Sequence, residues 1–411
     1  MQSTLDYLYS LERFGIKLGL ETTQKMLDVL ENPHHTFKSI HVTGTNGKGS
    51  TCAFLASILQ EAGYKTGLYT SPHLVKFNER IKINGFDIPH QDLLQLISEI
   101  KEKCSHLNPT FFEFTTAMAF LYFARQKVDF AVIEVGMGGR LDATNVILPE
   151  VSIITNIGFD HMKHLGDSKE AIAREKAAII KEKVPLVTAE QDPLLVSYFE
   201  KVCRQKQSPI FLVKDVTIIS KQESLSGQSF TVDGGKFSIT LLGRHQQTNA
   251  ATAFLAVQAL QRRGIPISES AIKNGLQKAI WPGRLQLISK SPLIMLDGAH
   301  NVTGMETAVE FLQTISHKKI LILGIAADKE IAAMVKLIAP LFEYIIITQG
   351  NYKPAAVEVI AAEVQKYNSK ITLLPSPQDA FAQAQKKAKG DELILVTGSL
   401  YLVGDILPIF E

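Results

Sequence analysis

The sequence predicts an α/β fold, with an N-terminal domain on a mostly parallel sheet and a smaller, Rossmann-like C-terminal α/β domain. Three observations predict it. The chain has 411 residues, more than one hydrophobic core usually serves. Short apolar runs alternate with helical patterns, the rhythm of βαβ units. The apolar run Ile40-His41-Val42 passes directly into Thr43-Gly44-Thr45-Asn46-Gly47-Lys48-Gly49-Ser50, a glycine-rich turn of the kind that joins a strand to a helix around an anion.

Taken in order, the first half offers strands at 40–42, 130–135 and 151–156, and helices at 51–61, 111–125 and 171–181. Gly44, Glu134 and Asn156 fall at or just after strand ends, where open α/β sheets gather their ligands, so one crevice should collect them. Between 208 and 242 the pattern shortens and alternates around Gly234-Gly235, which predicts an antiparallel elaboration at the periphery. Turn-forming residues run from Trp281-Pro282-Gly283-Arg284 to Pro292. The expected division is therefore a first domain over 1–285, a linker over 286–291 and a second domain over 292–411. That second unit repeats the strand signal at 293–296, 320–323, 344–348, 371–374 and 393–396.

Composition narrows the function classes. A hydrophobic share of 45% against 20% charged residues indicates a folded soluble protein, and the net charge of +2 without long like-charged blocks asks for neither nucleic acid nor an acidic membrane. Three scattered cysteines argue against a disulfide framework and fit a reducing cytoplasm. The first ten residues lack a basic patch followed by an apolar stretch, and no run approaches membrane-spanning length, so neither export nor insertion is expected.

The chemistry starts at the loop. Its glycines let backbone N–H groups face an anion, a helix starting near Thr51 adds its positive end, Lys48 supplies a point charge and Ser50 a hydroxyl for Mg²⁺. Thr45 to Ser50 thus form a candidate phosphate cradle, although Gly44 lies nearer, and Ser50 farther, than in the common P-loop. Glu134, followed by Gly136, Gly138 and Gly139, is a second candidate Mg²⁺ ligand; the alternative is a strand-terminal salt bridge. His161 could join a second cation site or simply pair with Asp160. Lys176 is either a partly buried, reactive amine or a solvated helix lysine. Asn249 opens an alanine-rich helix and could read an adenine edge or cap that helix. Arg284, Asp297 and His300 flank the domain joint, which suggests closure over a ligand.

Further motifs appear in a fixed order: Arg13-Phe14-Gly15-Ile16-Lys17-Leu18-Gly19-Leu20-Glu21, the loop 44–50, Thr70-Ser71-Pro72-His73-Leu74, 134–145, 160–166, Pro282-Gly283-Arg284, 296–301 and Gly398-Ser399-Leu400-Tyr401. Together they resemble the folylpolyglutamate synthase / dihydrofolate synthase branch of the Mur ligase superfamily, over nearly the whole chain and including the irregular loop spacing. The resemblance implies an ATP- and Mg²⁺-dependent ligase that joins L-glutamate to a folate or to dihydropteroate through an acyl phosphate. It assigns Lys48, Lys176 and His300 to catalysis, with Lys176 carbamylated. It gives Ser50, Glu134 and His161 to two metal sites, and the loop residues with Asn249, Arg284 and Asp297 to nucleotide. His300 and Ser399 would face glutamate, Ser71, Pro72 and His73 the folate, and Phe112 and Ala143 a pterin; for Phe112 a core aromatic remains the alternative. A small departure is Asp328-Lys329-Glu330, where the family often has a second Asp. A cytoplasmic monomer acting on small molecules is expected. A cell-wall Mur ligase is disfavoured by the short chain ahead of Gly44, and a guanine-reading switch by the lack of an Asn-Lys-x-Asp motif.

Overall fold

The structure is a computed structural model and describes residues 2–15, 17, 19–160, 162–388, 390 and 392–410. The first sheet contains β1 (Lys38–Thr43), β2 (Thr66–Tyr69), β3 (Ile81–Ile83), β4 (Phe86–Asp87), β5 (Phe130–Glu134), β6 (Val151–Ile154), β7 (Leu186–Thr188) and β8 (Ile210–Leu212). Its order is β4-β3-β2-β5-β1-β6-β7-β8. Six strands run parallel, and the β3–β4 hairpin adds an antiparallel edge beside β2.

Both faces of this sheet are covered, which is why its strands read as continuous apolar runs. Ile40, Val42, Phe130 and Val132 point into one core with the helix Lys48–Glu61, whereas Ala131 and Ile133 point into the other with the helix Phe111–Arg125. That second helix starts where the sequence predicts, because Thr110 and Glu113 close a reciprocal capping box over its first N–H groups. The loop helix starts at Lys48, earlier than expected. Gly47, at a φ of 83°, turns the chain directly into it.

Strands β9 (Ile218–Ser224), β10 (Gly227–Val232) and β11 (Gly235–Ile239) form the expected antiparallel unit. It is not peripheral. Phe230, Val232, Phe237 and Ile239 are buried in the same core as the loop helix, because their alternation leaves one face that only the helices Arg244–Arg262 and Glu269–Lys278 can cover.

The third sheet comprises β12 (Gln286–Lys290), β13 (Leu293–Leu296), β14 (Lys319–Leu323), β15 (Tyr344–Ile347), β16 (Ile371–Leu373) and β17 (Leu393–Thr397), in the order β12-β13-β17-β14-β15-β16. All neighbours are parallel except β12 with β13. The stretch 286–291, expected as a linker, is therefore mostly an edge strand; its half-buried, polar composition hid it. Cys52, Cys104 and Cys203 are buried and free. No helix among the described residues is long and apolar enough to cross a membrane.

The tightest helix contact sets the thickness of the first core. A Cβ on Gly275 would lie 2.4 Å from Cα and 2.6 Å from the backbone N of Ile58. Gly275→Ala gains about 1 kcal/mol of helix propensity, but overpacking against backbone costs about 1–3 kcal/mol. The expected net result is a urea midpoint lowered at unchanged m-value; a raised midpoint would contradict the packing described here.

Candidate active site

The site is built where β1 lies between β5 and β6. Gly44 follows β1 at a φ of 152°, and a Cβ there would fall 1.7 Å from Thr155 Oγ1. That approach lets the segment after β6 hold the loop. Thr155 Oγ1 donates to Asn46 O (2.6 Å), Thr45 N–H donates to Asn156 O (2.9 Å) and Asn46 N–H to Asn156 Oδ1 (2.9 Å). Gly158 N–H donates to Thr45 Oγ1 (2.9 Å). The N–H groups of Thr45 and Asn46, expected to face an anion, are thus committed to the protein. The cradle narrows to the first turn of the helix at Lys48, Gly49 and Ser50, whose N–H groups have no intrahelical acceptor.

Two lysines meet over this loop. Lys48 Nζ folds back to donate to Gly44 O and Thr45 O (both 3.1 Å), and Lys176 Nζ donates to the same Gly44 O (2.8 Å). Lys176 arrives on the helix Lys169–Ala177, which sits against Gly139: a Cβ there would lie 2.8 Å from Glu175 O and 3.2 Å from Lys176 Cα. Burial, then repulsion from Lys48, pushes the Lys176 ammonium down to about 7. Of its two sequence readings the buried, reactive amine is the one that fits.

Glu134 ends β5 and is 4% exposed. Its Oε2 accepts the Ser71 N–H (2.9 Å), and burial raises its carboxyl pKa against the opposing pull of Lys48. Ser50 Oγ accepts from Gln246 Nε2 (3.2 Å), and Gln246 in turn accepts from Asn249 Nδ2 (3.0 Å), so Asn249 braces the loop from the helix Arg244–Arg262. His161 lies outside the described residues. Among those described, no three His, Cys, Asp or Glu side chains converge on one point, and Glu134 and Ser50 are the oxygen donors placed beside the loop. That donor set suits Mg²⁺, which prefers a few carboxylates, phosphate and water.

The C-terminal domain closes the crevice. Asp297 gives both oxygens to backbone, accepting from Leu285 N–H (2.9 Å) and Ala299 N–H (3.0 Å), and so fastens the joint. Arg284 Nη1 donates to Gly298 O (3.3 Å). His300 Nδ1–H donates to Gly298 O (2.8 Å), which leaves Nε2 bare, 3.8 Å from Asp160 Oδ2. Burial, and Arg284 next, hold its pKa at about 4, so near neutral pH the ring is neutral and its open nitrogen carries no proton. Asp160 also accepts from Lys329 Nζ (2.8 Å), and Asn46 and Asn301 exchange side-chain amide bonds of 3.0 and 3.3 Å across the joint. Ser399 caps the helix Leu400–Ile406 by accepting from Tyr401 N–H (3.2 Å).

On the far side of Glu134, Phe112 lies over Gly136, where a Cβ would be 2.4 Å from its ring, and packs with Tyr69 in the second core. Its place against the second core fits the reading of a core aromatic. Ala143 is buried beside it in the chain turn that Asp142 caps. Pro72 is exposed, and His73 accepts from Arg80 Nε at Nδ1 (2.9 Å). Sequence reasoning missed Thr155 and Arg80 altogether, and for Gln246 and Asn301, which lay in noted motifs, it missed the bonds they make to Ser50 and Asn46 far away in the chain.

The fold and the site define a two-domain ligase of the Mur type. The Mur ligase middle domain family matches residues 42–257, and the family described as Mur ligase, glutamate ligase domain matches 283–400. The chain belongs to the folylpolyglutamate synthase / dihydrofolate synthase family. It is 37% identical to the dihydrofolate synthase/folylpolyglutamate synthase of Bacillus subtilis, over 98% of both chains. The folylpolyglutamate synthase structure from Thermotoga maritima is 35% identical over 100% of this chain and 97% of that one, with a TM-score of 0.87. The Mycobacterium tuberculosis folylpolyglutamate synthase, solved with ADP and AMPPCP, superposes with a TM-score of 0.91 at 28% identity, over 100% and 98% of the chains.

A lysine whose folded pKa is about 7 against an ordinary 10.5 costs stability. The penalty is complete below pH 7, where both states hold the proton, and fades as pH rises toward 10.5, so stability should climb across that window. Lys176→Met removes the penalty, on the order of a few kcal/mol at neutral pH. The variant should melt higher than the parent at pH 7, with the difference shrinking by pH 10; a lower melting temperature at pH 7 would refute the buried, unmodified amine.

Proposed function

We propose that this protein binds ATP and Mg²⁺ and uses them to join L-glutamate to a tetrahydrofolate, to dihydropteroate, or to both. The observation that carries the reading is the convergence of Lys48, Lys176 and Glu134 on the single loop that follows β1. The nucleotide-bound relative and the curated family support it. The polyphosphate would lie on the first turn of the helix at Lys48, with Lys48 swinging from Gly44 O to the transferring phosphoryl group. A carboxylate oxygen of the acceptor attacks the γ-phosphorus as the bond to ADP breaks. The glutamate nitrogen then attacks the acyl carbon, and phosphate leaves. Ser50, Glu134 and His161 would hold Mg²⁺, which neutralises phosphate charge when bound.

His300 is suited to accept a hydrogen bond from the incoming amine, since its Nε2 is unprotonated and its Nδ1–H is held by Gly298 O. Ser399 and His300 are proposed to face the incoming glutamate; Ser71, Pro72, His73, Phe112 and Ala143 the acceptor; and Asn249, Arg284 and Asp297 the nucleotide side of the joint. Lys176 is proposed to react as a free amine with CO₂, forming an N–C bond and releasing a proton, to give a carbamate that helps organise the second metal. The amine form is accessible near neutral pH, which favours that reaction. The division between domains is placed at 283–285, ahead of β12. A cytoplasmic monomer fits the balanced charge and the three unpaired cysteines.

Purified protein with ATP, Mg²⁺ and glutamate should release phosphate only when an acceptor is added, and parallel assays with dihydropteroate and tetrahydrofolate assign one or both reactions. Phosphate release that ignores acceptor and glutamate would point to a nucleotide switch instead. Lys176→Ala should lose about 100-fold or more in kcat, the range of one lost transition-state interaction. Added short carboxylates should restore part of it if the carbamate reading holds.

A further inference from the structure

Beside the nucleotide crevice stands a buried cation with no acidic partner among the described residues. Arg80 ends the helical turn Phe77–Arg80 and is 8% exposed. Among the described residues its only side-chain hydrogen bond runs from Nε to His73 Nδ1 (2.9 Å), neither terminal nitrogen has an acceptor and no carboxylate comes within ion-pair distance. Burial, then the nearby Arg80 charge, holds His73 at about 4, so that ring is neutral and able to accept. The guanidinium lies 5.6 Å from the Phe77 ring centre and 5.3 Å from that of Phe111. Tyr69, Tyr9 and Tyr401 are neighbouring phenols, and Glu12 and Glu134 act on it only from farther away.

A buried, unpaired charge is strongly destabilising, and chains retain one where a ligand completes it. Here the anchoring is specific. His73 fixes the Nε edge and the two rings fix the plane, which leaves the paired terminal nitrogens, the edge that grips a carboxylate bidentately. The location is also specific: His73 shares a loop with Ser71, whose N–H holds Glu134, while Tyr401 belongs to the C-terminal domain and stacks on Tyr352 at 4.4 Å.

We propose that Arg80 is the receptor for a non-reacting carboxylate of a substrate, an inference that rests on the ligase reading above. The reacting carboxylate is excluded as its partner because a bidentate guanidinium would tie up the lone pairs that must attack phosphorus. Two sources share the remaining chemistry: the α-carboxylate of a glutamate already attached to the folate, and a carboxylate of the incoming L-glutamate. Dihydropteroate carries only the reacting group, so it separates them.

The test is steady-state kinetics of full-length Arg80→Gln and Arg80→Lys with ATP, Mg²⁺, glutamate and either acceptor. The loss of a charge-assisted pair should raise the affected KM about 10- to 100-fold for Arg80→Gln, less for Arg80→Lys, with the KM for ATP unchanged. A rise for tetrahydrofolate but not dihydropteroate assigns the attached glutamate; a rise for L-glutamate with both acceptors assigns the incoming one. No KM moving more than twofold in an active parent overturns the proposal. If the parent makes no amide with any acceptor, the ligase reading fails. Calorimetric titration of tetrahydrofolate and L-glutamate into parent and variant then decides Arg80 alone, equal affinities counting against it. Should Arg80→Gln not fold, His73→Ala keeps the charge but frees Nε, and must still raise the same KM severalfold.

Discussion

The site depends on one close approach, that of Gly44 to Thr155. Strand β1 lies between β5 and β6, so the chain leaving β1 must pass directly beside the chain leaving β6, and no side chain fits between them. Because the two segments touch, Thr155 and Asn156 can take up the polar groups of Thr45 and Asn46 and hold the loop without any ligand. The same geometry turns Gly44 O toward Lys176 and Lys48. A phosphate cradle made this way is preorganised, and binding need not order it first.

Preorganisation has an electrostatic cost that falls on Lys176 and Glu134. Both are buried, and each has its pKa moved toward the neutral form, the lysine down and the acid up. Neither gains a direct ion pair with the other; each is satisfied by backbone, Gly44 O and Ser71 N–H respectively. The site thus stores unfavourable burial that a bound cation and phosphate would relieve. A carbamate on Lys176 would change the sign of one member and put an anion beside Lys48, whose charge already acts on both groups.

Much of this was legible in the sequence for a simple reason. Parallel strands deliver whatever follows them to one edge, so locating Gly44, Glu134 and Asn156 at strand ends was enough to place them together. Lys176 was harder, since only the glycine at 139 allows its helix to approach, and a glycine carries no signature of what it makes room for. Strand β12 was obscured because an edge strand with one half-buried face has the composition of a linker. The backbone commitments of Thr45 and Asn46 depend on Asn156, a residue 110 positions away from Asn46, and no local pattern reports such a bond. Arg80 was invisible for the same reason: its meaning lies in what does not pair with it.

The joint between the domains follows a different rule from the cores. Asn46 with Asn301, Lys329 with Asp160, and Asp297 with Leu285 are polar contacts between loops or helix ends. Only the first is a neutral pair, worth about 0.5–1.5 kcal/mol; the second is an ion pair, and Leu74 adds apolar packing against the C-terminal core beside them. Yet the first of them touches the candidate site from both sides: Asn46 belongs to the phosphate loop, and Asn301 follows His300. The amide pair therefore ties the residue next to His300 directly to the phosphate loop. Asn301 reinforces the coupling, since its Oδ1 also accepts Gly304 N–H and caps the helix Val302–Gln313. One side chain thus links the phosphate loop to the start of that helix.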